Sequence, residues 1–309
     1  FDALSYSVII VYALLMGLAQ AFVTPARDGL LNQVAGDNIQ RMVVLASLCQ
    51  FGFQILGYTL AGFADTVGAI TILTVQSIIL LMGCGALLAL GEVGAPRAES
   101  RQASVMKDLW EGASTVAGNP LMRAVMIQNV AMGIFFMGAF IVALPLVVRE
   151  IYNGTSGDLA ALNAFNSLGL VITIGVLLRL GHIARAGRAL LLAQFVGSLV
   201  LVLAGWVVQQ YLFVFFVFMW GICGGVAMPM SRTLMQQTAP PALRARVMSF
   251  YAFSFMGAGP LGALWAGYLA DSVGPQNAII ISAGCMALLA LIMGVVSPLW
   301  GSVTEQTAV

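Results

Sequence analysis

Long uncharged runs alternate with short charged connections along the whole chain. Charges are absent from 3–26, 42–64, 66–91, 124–148, 159–178, 189–231, 247–270 and 272–304. Each run is long enough to cross about 30 Å of hydrocarbon as a helix rising about 1.5 Å per residue. The run 189–231 is long enough to cross twice, and Gly205, Gln209 and Gln210 mark its turn. The pattern predicts nine helices, near 4–24, 42–63, 68–90, 122–147, 159–180, 188–208, 211–234, 244–269 and 276–298.

Composition narrows the class. The 309 residues are 61% hydrophobic and only 8% charged, whereas about a quarter of a soluble domain is charged. A net charge of +1 from 13 basic and 12 acidic residues, with no basic face, excludes a nucleic-acid-binding domain. Cys49, Cys84, Cys223 and Cys285 all lie in apolar runs without metal-ligand spacing, which excludes a secreted disulfide scaffold and a cysteine metal site. No Walker loop or nucleophile-and-base arrangement is present, so neither an enzyme nor a cofactor is expected.

The basic residues orient the spans. Arg27 and Arg41 follow the first; Arg97, Arg101, Lys107 and Arg123 follow the third; Arg179, Arg185 and Arg188 follow the fifth; Arg232, Arg244 and Arg246 follow the seventh. The opposite side has Arg149 alone. This asymmetry puts the four basic connections and the C-terminus in the cytoplasm. Within the longest connection, Val105, Met106, Leu109, Trp110, Ala113 and Val116 recur at helical spacing opposite Lys107, Asp108 and Glu111. That pattern predicts an amphipathic helix lying at the membrane surface.

The segments beginning at Pro25 and at Pro229 resemble each other. With two one-residue slips, Leu30 meets Leu234, Gln33 meets Gln237, Gly57 meets Gly262, Gly62 meets Gly267, Asp65 meets Asp271 and Gly68 meets Gly274. Each segment runs from a basic helix end through one span to the opposite turn. The repeat unit is then six helices, and three helices are expected before Phe1. Two parallel six-helix halves enclose a cavity in one transporter architecture.

The chain resembles the major facilitator superfamily, in particular its drug and siderophore exporter branch, which includes the enterobactin exporter and the transmembrane secretion effectors. The residues that carry the resemblance are Ala242-Leu243-Arg244-Ala245-Arg246-Val247-Met248-Ser249, Gly259-Pro260-Leu261-Gly262 and Ala266 to Asp271. Asp108-Leu109-Trp110-Glu111-Gly112 and Asn119-Pro120 are similar to that branch's connector. The resemblance implies an all-α integral membrane protein corresponding to helices four to twelve. Residues 1–90 would then close the first bundle, 91–121 form the connector, 122–300 form the second bundle and 301–309 form a cytoplasmic tail. It also implies a monomeric, proton-coupled exporter in a bacterial inner membrane, with membrane lipids and a small amphipathic substrate as partners. An uptake carrier of the same fold and a non-transport interaction protein are the competing readings.

Candidate residues fall into three groups. Gln50, Gln54, Gln128, Asn129, Asn163, Asn166 and Gln194 place amides inside spans, where each needs a partner and serves either as helix cement or as part of a transport path. Phe135, Phe136 and Phe140 either line that path or pack. Arg185, Gly187 and Arg188, in a turn similar to the family's helix-two-to-three motif, and Arg244 and Arg246 fix topology or gate the cytoplasmic side; Ala184 stands where the motif has an acid. Gly57, Gly62, Gly259, Pro260, Gly262 and Gly267 serve close packing or a hinge. No Asp, Glu, Lys or His sits in the middle of a predicted span, so the sequence offers no proton-relay residue.

Overall fold

The computed structural model describes residues 39–89, 105–180, 183–240 and 243–301, with isolated positions between 11 and 23. Most of the expected span 4–24, the start of the connector, Gly181, His182, Ala242 and the tail after Gly301 lie outside the described residues. The contacts divide the chain into Phe1–Phe53 and Gln54–Val309. The described part of the first unit is helical.

The longer helices are α1 Ile39–Ala61, α2 Ala69–Ala89, α3 Val105–Gly118, α4 Pro120–Ile151, α5 Ser156–Leu180, α6 Ala186–Trp206, α7 Gln210–Thr238, α8 Arg244–Val273 and α9 Pro275–Val296. The last six are long and apolar enough to cross a membrane. Large apolar side chains such as Leu192, Leu203, Leu264 and Val295 point outward and are exposed. Such a surface suits hydrocarbon, where apolar side chains gain nothing by hiding from a solvent of their own kind.

Local chemistry sets the helix ends. Asn119 Oδ1 accepts from the Leu121 N–H (2.9 Å) and the Met122 N–H (3.2 Å), capping α4, and Pro120 occupies its first position at no cost in hydrogen bonds. At the start of α5, Asp158 Oδ2 accepts from both the Thr155 N–H and the Thr155 hydroxyl at 2.8 Å. Val207 to Gln209 form the turn between α6 and α7, where the glutamines mark it in the sequence. The Tyr152 hydroxyl closes that side by donating to the Val207 carbonyl at 2.7 Å. Burial pushes this phenol up from its ordinary value, which keeps it a donor.

The repeat has a structural echo. Gly68 precedes α2 and Gly274 precedes α9, and each holds φ at +89°. An L side chain rarely adopts that backbone, which accounts for glycine at both positions.

Helices α4, α6, α7 and α9 form a ring, with α4 and α6 each packed against both α7 and α9. Helix α8 lies along α4, and α5 along α7. Both of those crossings bring backbones together. A Cβ on Gly133 would stand 2.6 Å from the Ala258 Cβ, one on Gly262 would stand 2.5 Å from the Ile134 carbonyl, and one on Gly138 would collide with the Gly262 carbonyl. In the other crossing, Gly221 meets the Asn166 carbonyl and Gly169 the Phe218 carbonyl.

Helix α4 carries π-helical stretches at Met132–Met137, Ala139–Ala143 and Val147–Ile151. A π turn closes i→i+5 bonds and so holds more residues than an α turn. Gly133 and Gly138, five apart, thereby come to the same face and meet Ala258 and Gly262, four apart on the α-helical partner.

Helix α3 packs against α8. Gly112 and Val116 are buried, and a Cβ on Gly112 would come within 2.7 Å of the Arg246 carbonyl, so α3 docks on the start of α8. Trp110, placed by the sequence on the apolar stripe, is 75% exposed. The glycine permits close backbone approach on one side and leaves the large ring on the other.

Candidate transport path

The structure sorts the sequence candidates by what each side chain touches. Gln50 and Gln54 are exposed on α1, and Gln54 Nε2 donates to the Tyr58 hydroxyl one turn on (2.9 Å). Asn129 is buried and joins helices: its Nδ2 donates to the Tyr251 carbonyl and to Ser254 Oγ, both at 3.0 Å, across the α4 and α8 crossing. Asn166 Nδ2 donates to the Val217 carbonyl (3.1 Å) beside Gly221, holding α5 to α7. Asn163 is half-buried and donates to Leu159 within its own helix (2.9 Å). Gln128 and Gln194 are wholly buried, and neither amide has a hydrogen-bond partner among the described residues.

The aromatic candidates of α4 pack. The rings of Phe135 and Trp265 meet edge-on at 6.1 Å, those of Phe136 and Trp220 at 5.5 Å, and Phe140 tilts against the same Trp220 at 6.0 Å.

The basic candidates differ in their partners. Arg188 Nε donates to the Trp300 carbonyl at 2.6 Å while its guanidinium lies 5.2 Å from the Trp300 ring centre, tying the start of α6 to the turn after α9. Gly187 is buried beside it and Arg185 is exposed. Arg246 pairs with Glu111 of α3, and Arg244 is exposed. The Arg246–Glu111 pair was not visible in the sequence, because the two residues lie in different elements.

Of the small-residue candidates, Gly62 approaches the Ala160 Cβ (3.0 Å from a built Cβ), Gly259 faces Met137, and Gly262 sits in the α4 and α8 crossing. Gly57 and Gly267 face open space within 4 Å, so no close helix approach at these two positions accounts for their lack of a side chain. Pro260 is exposed inside the uninterrupted α8.

Between α5 and α7 lies an apolar groove of about 700 Å³. Phe165 and Leu168 line it from α5, and Tyr211, Phe215 and Phe218 from α7. Gln210 supplies its amide, held by a 2.7 Å hydrogen bond from Nε2 to Asp158 Oδ1. None of the amides singled out in the sequence lines it. Gln210 reads in the sequence as a turn marker, and only the approach of α5 brings aromatic rings and a carboxylate to it. No group of three or more metal-ligating side chains occurs among the described residues.

Comparison with curated proteins gives no match. Residues 3–263 match the Major Facilitator Superfamily. With its long apolar helices and paired crossings, the chain belongs to the Major Facilitator Superfamily, and is a multi-pass membrane protein of secondary transport rather than an enzyme.

Proposed function

We propose that the protein exports a small amphipathic compound in exchange for protons, and that the groove between α5 and α7 is part of the substrate path. The groove carries this reading. Its aromatic walls suit an apolar body, and the Gln210 amide beside Asp158 offers a polar group a place to bond. The glycine-lined crossings support movement of α4 with α8 and of α5 with α7 as rigid pairs, which a rocking-bundle cycle requires. Export direction, proton coupling, a bacterial inner-membrane location and a monomeric state rest on the resemblance of the Leu243 to Ser249 and Gly259 to Gly262 stretches to exporters. Residues 1–90 and 122–300 are the two proposed bundles, with 91–121 between them. Among the sequence amides, Asn163 is assigned to the path outside the groove, because among the described residues its side chain bonds only within its own helix.

The test is transport by the full-length protein in liposomes, using a panel of fluorescent amphipathic compounds with and without a pH gradient. Phe165→Ala and Phe218→Ala should weaken substrate affinity about tenfold, each removing a large aromatic contact worth about 1.5 kcal/mol. Leu288→Ala, at an exposed site on α9, should leave it unchanged. Equal affinity in all three variants removes the groove from the path. Flux that ignores the gradient rejects proton coupling, and net inward flux under an inward substrate gradient alone favours uptake.

A further inference from the structure

Gln128 and Gln194 are the two side chains whose burial the helix packing leaves unexplained. Both are 0% exposed, and both ends of both amides, Oε1 and Nε2, have no hydrogen-bond partner among the described residues. An amide in an apolar interior without a partner is costly, because the hydrogen bonds it made to water are not replaced. Such groups are rare in folded proteins and each calls for a physical explanation.

Their positions converge. Gln128 is eight residues beyond Pro120, the start of α4, and Gln194 is eight residues beyond Ala186, the start of α6. Both helices start on the arginine-rich side, so both amides lie about 12 Å along their axes from that side. Helices α4 and α6 occupy opposite corners of the ring completed by α7 and α9. On α6, Gly197 faces Cys223 and Trp220 of α7, while Leu191 faces Gly294 of α9. Gln194 lies between Leu191 and Gly197 around the helix and therefore faces the middle of the ring. On α4, Asn129 and Gly133 face α8, and Gln128, about 100° round the helix from Asn129, turns away from α8; its complete burial leaves the ring side for it.

We propose that Gln128 and Gln194 flank a buried hydration site at the centre of α4, α6, α7 and α9, in which water joins the two amides. Each amide offers donors and an acceptor, and water is the small neutral ligand that satisfies both at once. The buried polar groups on the described helices are neutral. Ser198 donates to the Gln194 backbone carbonyl, Ser231 of α7 accepts from Tyr251 of α8, and α9 contributes Met286, Ala290 and Met293 to the core at its arginine-rich end. No charged side chain is buried among the described residues, so an ion has no counter-charge there. The site lies inside one bundle, apart from the groove, and stands or falls independently of the substrate assignment.

Two measurements on the full-length protein in detergent decide it. X-ray radiolytic labelling in ¹⁸O water reports buried water by oxidising side chains next to it. The expected result is oxidation at Leu190 or Leu191, though both are buried, exceeding that at Leu201, about three turns deeper. Oxidation at Leu190 and Leu191 no greater than at Leu201 overturns the site, and this readout needs no substitution. The second is a double-mutant cycle with Gln128→Met and Gln194→Met, followed by thermal midpoint. The expected result is a single-variant loss of about 3 °C, with a double-variant shift smaller than the sum because both orphaned amides are gone. Additive shifts overturn the shared site. Non-additive shifts with no oxidation replace the water by a direct amide-to-amide bond and overturn the hydration.

Discussion

Gly262 of α8 lies directly against Ile134 of α4, so close that a single methyl group added to Gly262 would stand 2.5 Å from the Ile134 carbonyl oxygen. The neighbour is backbone and cannot swing aside. Gly262→Ala should therefore push the two helices apart and cost about 2 kcal/mol, the scale of overpacking in a tight interior. Gly267→Ala, five residues along the same helix, meets nothing within 4 Å and should be neutral or stabilising by up to about 1 kcal/mol, the helix propensity gain. Thermal unfolding of both variants in detergent checks the contrast, and equal midpoints would refute the crossing.

The turn glycines give a second contrast. Gly274→Ala forces a side chain onto a backbone with φ at +89°, and should cost about 1–2 kcal/mol although no atom lies within 4 Å of the new methyl. Gly68→Ala should behave in the same way, as its partner in the repeat. Gly284→Ala, also in open space but within helix α9, should show no loss by thermal unfolding.

Asn129 and Asn163 separate helix cement from transport path. Asn129→Ala removes two hydrogen bonds between α4 and α8 and should cost about 1–3 kcal/mol of stability. Asn163→Ala breaks only a bond within α5 and should leave the midpoint within about 0.5 kcal/mol of the parent while lowering substrate flux. Parallel unfolding and liposome assays read both effects. Wild-type flux in folded Asn163→Ala protein would take this residue out of the path.

The pair between Glu111 and Arg246 fastens α3 to the start of α8, with both side chains partly exposed. Its contribution is accordingly about 1 kcal/mol or less and screened by salt. Glu111→Arg should loosen α3, raising hydrogen exchange across residues 105–118, and adding Arg246→Glu should restore much of the protection. Exchange unchanged by either substitution would show that the buried contacts of Gly112 and Val116 hold the helix without the pair.

The six spans from Pro120 to Val296 were legible in the sequence because hydrocarbon admits only helices whose backbone groups are satisfied internally, so a run of uncharged residues bounded by charges carries its own structural meaning. Gly68 and Gly274 were legible as matched positions of the repeat, while the positive φ that explains glycine at both came only with the backbone. Gly133 and Gly138 were not, because their spacing fits no α-helical face and becomes a packing surface only after α4 widens into π turns. Nor could the sequence tell Asn166, bonded to the Val217 carbonyl, from Gln194, buried without a partner among the described residues: both are amides in apolar runs. The groove at Gln210 and the docking of α3 on α8 likewise exist only where distant helices meet. Composition determines that a segment leaves water for the membrane; which face of it meets a neighbour is set by backbone contacts a few ångströms wide, and these the tertiary structure alone decides.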